Sequence, residues 1–355
     1  MKILLNIILF LLIIFLPSFT EAQFTSHLDW QKLPGGCASC HVGHGKPGTA
    51  MLPLSEEEFC YQCHGDFNQR EKLVRENKLS LTTQTKNLRN EFYKPYHHPV
   101  EIKSENSIDA FDQKNRIYNV ARAECLDCHR GHGISRVPPP QGIVLKQSPK
   151  NEGEFEFQLC YQCHSSLNQL SLSQRDINTW LVTTNPSFHP IESMGKNRFV
   201  PSLISPYDIT SMINCTDCHG NDDPNGPRGP HGSIYEYILE RNYNTNDFIP
   251  ESQERYALCY KCHERSSILS DESFPLHNLH IAGTMTSCFT CHSSHGSQRN
   301  AHLIKFNEIV DPLRIRVSSS GRLEFIDTGI LAGECYLTCH GVDHNPKIYK
   351  NSHIF

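Results

Sequence analysis

Apolar residues gather in one place along this chain and are scattered everywhere else. Residues 3–16 form a 14-residue apolar stretch interrupted only by Asn6. Lys2 precedes it, and Pro17, Ser18 and Thr20-Glu21-Ala22 follow, with small residues first and third before Gln23. That order predicts an export signal over residues 1–22, cleaved before Gln23. The competing reading is an uncleaved anchor, but the run is shorter than the roughly 20 residues a bilayer requires. No cysteine stands at the expected cut, so a lipid anchor is not indicated. No later stretch is long and apolar enough to span, so the mature chain is expected to be soluble and outside the cytoplasm, periplasmic or extracellular.

Beyond the leader, helical and strand periodicity is weak. Longer helices are expected around residues 56–63, 68–78 and 234–242, joined by Pro/Gly-rich loops such as 137–142 and 222–232. Composition sharpens the picture. A length of 355 residues suggests two ordinary domains, yet 38% hydrophobic residues, part of them in the leader, supply little core for that size. The charges, 33 Lys+Arg against 38 Asp+Glu, sum to -5 and are dispersed. With no basic stripe or arm, a nucleic-acid binder is excluded. Against this stand 16 Cys and 21 His.

An even cysteine count in an exported chain usually means disulfides, but the spacing here says otherwise. The cysteines fall in eight close pairs: Cys37/Cys40, Cys60/Cys63, Cys125/Cys128, Cys160/Cys163, Cys215/Cys218, Cys259/Cys262, Cys288/Cys291 and Cys335/Cys339. Histidine follows every pair: His41, His64, His129, His164, His219, His263, His292 and His340. Seven pairs read C-x-x-C-H, and the eighth, CYLTCH, has one extra residue. Two thiols at this spacing on a helical turn add to the two vinyl groups of a haem, and the adjacent imidazole becomes the proximal iron ligand. Zinc also uses C-x-x-C pairs, but gives no reason for a histidine after each. Haem c, covalently attached, is therefore expected at eight sites. The extra residue at the eighth leaves a disulfide or free thiols open there.

On these motifs the sequence resembles the exported multihaem c-type cytochromes with doubled CxxCH motifs, found in bacteria that respire metals, minerals or nitrogen compounds. The resemblance runs from about His27 to His344. It implies a mostly α fold with extensive loops, little regular secondary structure and a haem-filled core.

Internal repeats organise the motifs. The segment Cys60-Tyr61-Gln62-Cys63-His64 recurs as Cys160-Tyr161-Gln162-Cys163-His164 and again as Cys259-Tyr260-Lys261-Cys262-His263. The first motif of each couple is followed by His-Gly: His44, His132, His231 and His295. A histidine also lies upstream of each couple: His27, His98, His189 and His280, with His98-Pro99-Val100-Glu101 matching His189-Pro190-Ile191-Glu192. That match prefers His98 to His97. His277 competes with His280, and His344 is a further candidate. Four two-haem modules follow, over residues 23–93, 94–185, 186–270 and 271–355. The eight spare histidines His27, His44, His98, His132, His189, His231, His280 and His295 are expected as distal ligands. Four methionines beyond the leader are too few for His/Met ligation throughout. Bis-His irons, generally of lower potential, are favoured.

The expected function is electron transfer as a haem wire in an anaerobic or extracellular respiratory chain. Partners would be redox proteins or a terminal extracellular acceptor, with a homo-oligomer or filament as one form of the role. No catalytic residue is assigned. The alternative is an octahaem oxidoreductase acting on nitrogen or sulfur compounds at one open haem, hinted at only by the 220–230 insertion and the odd CYLTCH site.

Overall fold

The computed structural model describes residues 26–45, 51–100, 108–109, 121–129, 132, 155–165, 176–306, 315–339 and 341–350. The leader, the 137–142 loop, His340 and His353 lie outside these residues. No helix among the described residues is long and apolar enough to cross a membrane.

Regular elements are short and serve the cysteine motifs. Helix α1 (Glu56–His64) opens with three glutamates in its first turn, where the helix dipole favours negative charge. It stops at Gly65, whose backbone leaves the helix in a position where a Cβ would overlap the Tyr61 carbonyl. Helix α2 (Phe67–Arg75) is capped by Asp66, which accepts from the backbone N–H of Asn68 and Gln69 at 3.0 and 3.2 Å. These two match the expected helices, although α2 ends earlier because Asn77 turns left-handed. The third expected helix is absent: only a 3-10 turn, Glu236–Ile238, forms, with Tyr237 and Ile238 both at positive φ.

The other regular motifs sit on single helical turns. In each, the histidine N–H reaches back to the first cysteine carbonyl, at 2.8 to 3.0 Å for His41, His129, His164, His219, His263 and His292. CLDCH and CTDCH fold their own caps. Asp127 accepts from the Glu124 N–H and Asp217 from the Asn214 N–H, at 2.8 and 2.7 Å.

Strands come in two kinds. Two-residue ladders join distant segments: β1 (Tyr96–His97) pairs antiparallel with β5 (Gly232–Ser233), and β4 (Ser187–Phe188) with β6 (Gly296–Ser297). A third ladder joins β2 (Ile108–Asp109) and β3 (Ala121–Arg122) in parallel. At the C-terminus β7 (Ile315–Arg316), β8 (Glu324–Gly329), β9 (Ala332–Cys339) and β10 (Val342–Lys350) form an antiparallel sheet around β9. Sequence reading did not foresee this sheet. Its signals are the alternating β-branched and aromatic residues of 324–350 and two tight turns, with Leu331 and Gly341 left-handed.

The apolar core is divided into small clusters. Several straddle module boundaries. Tyr61 of the second motif packs with Phe92 on Val100 of the next module, and Tyr161 packs on Phe188 and Ile191 of the module after its own. Clusters of three or four side chains spread over 355 residues fit a fold whose interior is completed by cofactor.

Candidate haem-binding sites

The motif histidines do not stand alone. An imidazole nitrogen binds a metal at about 2 Å and its ring centre lies about 1 Å further back, so two rings on opposite faces of one iron have centres roughly 6 Å apart. Six pairs among the described residues have ring centres near that separation, although Nε2 of His41 and Nε2 of His132 lie 3.4 Å apart, closer than the about 4 Å that two iron bonds span. His27 faces His64 at 6.1 Å, His132 faces His41 at 5.7 Å, and His231 faces His129 at 5.9 Å. His98 faces His164 at 6.3 Å, His295 faces His219 at 6.1 Å, and His277 faces His292 at 6.3 Å. For His263 the leading charged neighbour is His189.

Their chemical state suits a metal. Burial, with neighbouring imidazoles adding to it, lowers His64, His263 and His292 to about 4 and His231, His277 and His295 to about 3. These rings are neutral at physiological pH, as a ligand must be. Several have their tautomer fixed from behind. Nδ1 of His98 donates to the Pro230 carbonyl at 2.6 Å, His189 to Ser294 at 2.5 Å and His219 to Tyr237 at 2.8 Å. That leaves Nε2 with the free lone pair.

Cysteine contacts run unbroken along the chain. First cysteines are neighbours at Cys60/Cys125, Cys160/Cys215 and Cys259/Cys288, close enough to push the Cys125, Cys160 and Cys259 thiols up. Second cysteines approach at Cys40/Cys63 and Cys218/Cys262, and Cys291 lies near Cys335 and Cys339. Cys128 lies close enough to Cys160 to raise its thiol. Every motif therefore borders the next in sequence.

Two residues here escaped sequence reading. Glu56 and Glu156 each stand four residues before a C-Y-Q-C-H motif, and each clamps the first motif of the following module. Glu56 accepts from the Leu126 N–H at 2.5 Å, and Glu156 from the Thr216 N–H and hydroxyl at 2.8 and 2.7 Å. Burial pushes Glu56 up to about 7, against the lowering effect of that hydrogen bond. Aligning the two repeats would have exposed the shared offset. Glu156, Cys160 and Cys215 also bring their side-chain heteroatoms within 4.8 Å of one another, but the cysteines are those of two haem motifs.

The remaining expected site residues are placed differently. His44 is exposed and faces no second imidazole among the described residues. His97 is also exposed, its Nδ1 bonded to the Lys94 carbonyl at 2.6 Å. His280 stacks on Phe274 at 6.0 Å, and its charge is felt by half-buried His344. The eighth pair is the exception to the helical turn. Cys335 and Cys339 lie on strand β9, both against the Phe306, Ile315, Phe325 and Leu337 cluster. Four strand steps separate them by about 13 Å, whereas positions three apart on a helix lie about 5–6 Å apart. The seven regular motifs fit a haem. The eighth, in strand form, does not.

Residues 33–69, which hold the first two motifs, match the family described as doubled CXXCH motif. Residues 215–311, which hold the fifth to seventh, match the family described as cytochrome c-type protein NrfB-like. The chain is a multihaem c-type cytochrome. No curated protein and no solved structure matches it. As in other multihaem proteins of this type, the cytochrome's motif residues would hold haem c through paired thioethers and the following histidine.

Proposed function

We propose that this cytochrome is an electron carrier whose regular motifs, from Cys37 to His292, form a relay in chain order. The observation that carries it is the succession of neighbouring cysteines from motif to motif, through Cys40/Cys63, Cys60/Cys125, Cys128/Cys160, Cys160/Cys215, Cys218/Cys262 and Cys259/Cys288. Haem iron supplies reversible one-electron change. The chain's own part is to hold neighbouring sites close, supply imidazoles of fixed tautomer, and keep water from them through burial. Transfer falls off steeply with separation, so contact between consecutive motifs is what a relay requires. The eighth cysteine pair would need β9 to leave its sheet before it could hold a haem, and no relay step is assigned to it.

The rings facing the motif histidines favour a carrier over a reductase, which needs one open iron. Outside the chain we place a soluble redox protein or an extracellular acceptor. Location beyond the cytoplasm, and assembly into an oligomer or filament, belong to the same reading and rest on the leader-like residues 1–22 and the cofactor class.

Intact mass and electron paramagnetic resonance of the ferric protein test this. Seven haems, all low-spin, with carbon monoxide barely perturbing the reduced form, are expected. A stoichiometric high-spin haem, or nitrite or hydroxylamine turnover at enzymatic rates, would overturn the carrier reading.

A further inference from the structure

We infer that iron coordination in this cytochrome is interlocked: the His-Gly histidine of each module completes the first-motif iron of the module before it, and His277 fills that place in the last module. The inference rests on haem at the regular motifs, as the carrier reading has it.

Three facing pairs cross module boundaries in the same direction. His132 of the second module faces His41 of the first, and His231 of the third faces His129 of the second. His295 of the fourth faces His219 of the third. The upstream histidines stay home and serve the second motif: His27 faces His64 and His98 faces His164, while His189 neighbours His263. The second and third modules thus each keep one imidazole and hand the other backwards.

The backbone explains why. Ladder β1/β5 sets His97 opposite Gly232, and ladder β4/β6 sets Phe188 opposite Gly296. One ladder therefore carries an upstream histidine of one module beside the His-Gly of the next. The Nδ1 bonds of His98 to Pro230 and His189 to Ser294 lock the two together, each reaching the residue before the partner histidine. The glycines are required by the same approach. A Cβ on Gly232 would overlap the Glu91 carbonyl, and one on Gly296 the Trp180 carbonyl. The His-Gly of the third and fourth modules is thus a ladder residue beside a ligand, at the junctions with the modules before them.

The ends of the chain test the scheme internally. Among the described residues no module precedes the first, and its His-Gly histidine, His44, is exposed with no second ring there. Among the described residues no module follows the last, and His292 meets a ring of its own module. His277, eleven residues before Cys288, supplies a half-buried ring at 6.3 Å. A single rule accounts for both the leftover and the substitute.

The decisive comparison uses the full holoprotein with His277→Ala and His44→Ala, read by spin state and carbon monoxide binding at unchanged haem count. His277→Ala is expected to give one high-spin, carbon-monoxide-binding haem, and His44→Ala none. The opposite result would establish ligation inside each module and overturn the interlock, leaving the carrier reading intact. No change in either variant would overturn His277 as a ligand. Should His277→Ala fail to fold, His277→Met keeps a sixth ligand and is expected to raise the potential of one haem. An unchanged redox titration there would also overturn the proposal. Failure of the carrier reading itself would show separately, as an open iron in the unaltered protein.

Discussion

Cys288 and Cys291 sit on one helical turn; Cys335 and Cys339, the next pair along, sit on one strand. Both pairs are half-buried and both precede a histidine. The turn brings two thiols to the same side at the separation of two haem vinyl groups and aims the following imidazole beneath them. The strand also puts its thiols on one face, but about 13 Å apart, and gives them to the hydrophobic cluster around Leu337. One inserted residue separates the two patterns. Spacing matters because it selects the backbone conformation in which a site can exist.

The largest expected effect breaks this comparison outright. Replacing Cys160 and Cys163 by Ala should remove one haem from the intact mass, with loss of the cooperative thermal transition, because both flanking motifs touch that site. Replacing Cys335 and Cys339 by Ala should leave the haem count unchanged. An equal loss in the second variant would show that β9 is remade around a haem.

A smaller effect addresses what the sheet contributes. Leu337 is 5% exposed, so Leu337→Ala should destabilise the C-terminal sheet by about 2–5 kcal/mol with no haem lost. Amide exchange across β8 to β10 would register it, and unaltered protection would dismiss the sheet as a packed unit.

At the junctions between turn-held motifs, Glu156→Ala deprives the Thr216 N–H and hydroxyl of their acceptor, costing about 1–3 kcal/mol. Glu156→Gln, which keeps an acceptor oxygen, should recover most of it in denaturant titration. Equal losses in the two variants would point to the charge instead of the hydrogen bonds.

The mildest prediction concerns pH. Glu56 is held at about 7, above its ordinary 4.5, chiefly by burial. Its folded form keeps a proton that the unfolded chain releases, so its contribution to stability is full below pH 4.5 and is lost as pH rises through 7. Glu56→Gln should flatten that part of the melting-temperature profile between pH 5 and 7.5. Superimposable profiles would place the Glu56 carboxyl in water.

Much of the site was legible in residues near one another. Cysteine spacing with the following histidine identifies the cofactor, because thioether attachment is a local geometry that one helical turn satisfies. The match of His98-Pro99-Val100-Glu101 to His189-Pro190-Ile191-Glu192 selected His98 over His97, and the structure sets His98 opposite His164 while His97 stays exposed. Helix α1 was readable from its acidic first turn. Partner choice was not legible. Nothing local distinguishes His44 from His132, since both follow their motif by the same spacing and both precede Gly. Only the presence of an earlier module for His132 to reach separates them. Likewise His277 and His280 differ by three residues and both pack against Phe274, and the fold alone turns His277 toward His292. The sequence by itself determined the cofactor class of the regular motifs, through covalent reach within a few residues. The tertiary structure decided which imidazoles meet and in what order the sites touch, because those depend on two-residue ladders and carboxylate clamps between segments sixty to more than a hundred residues apart.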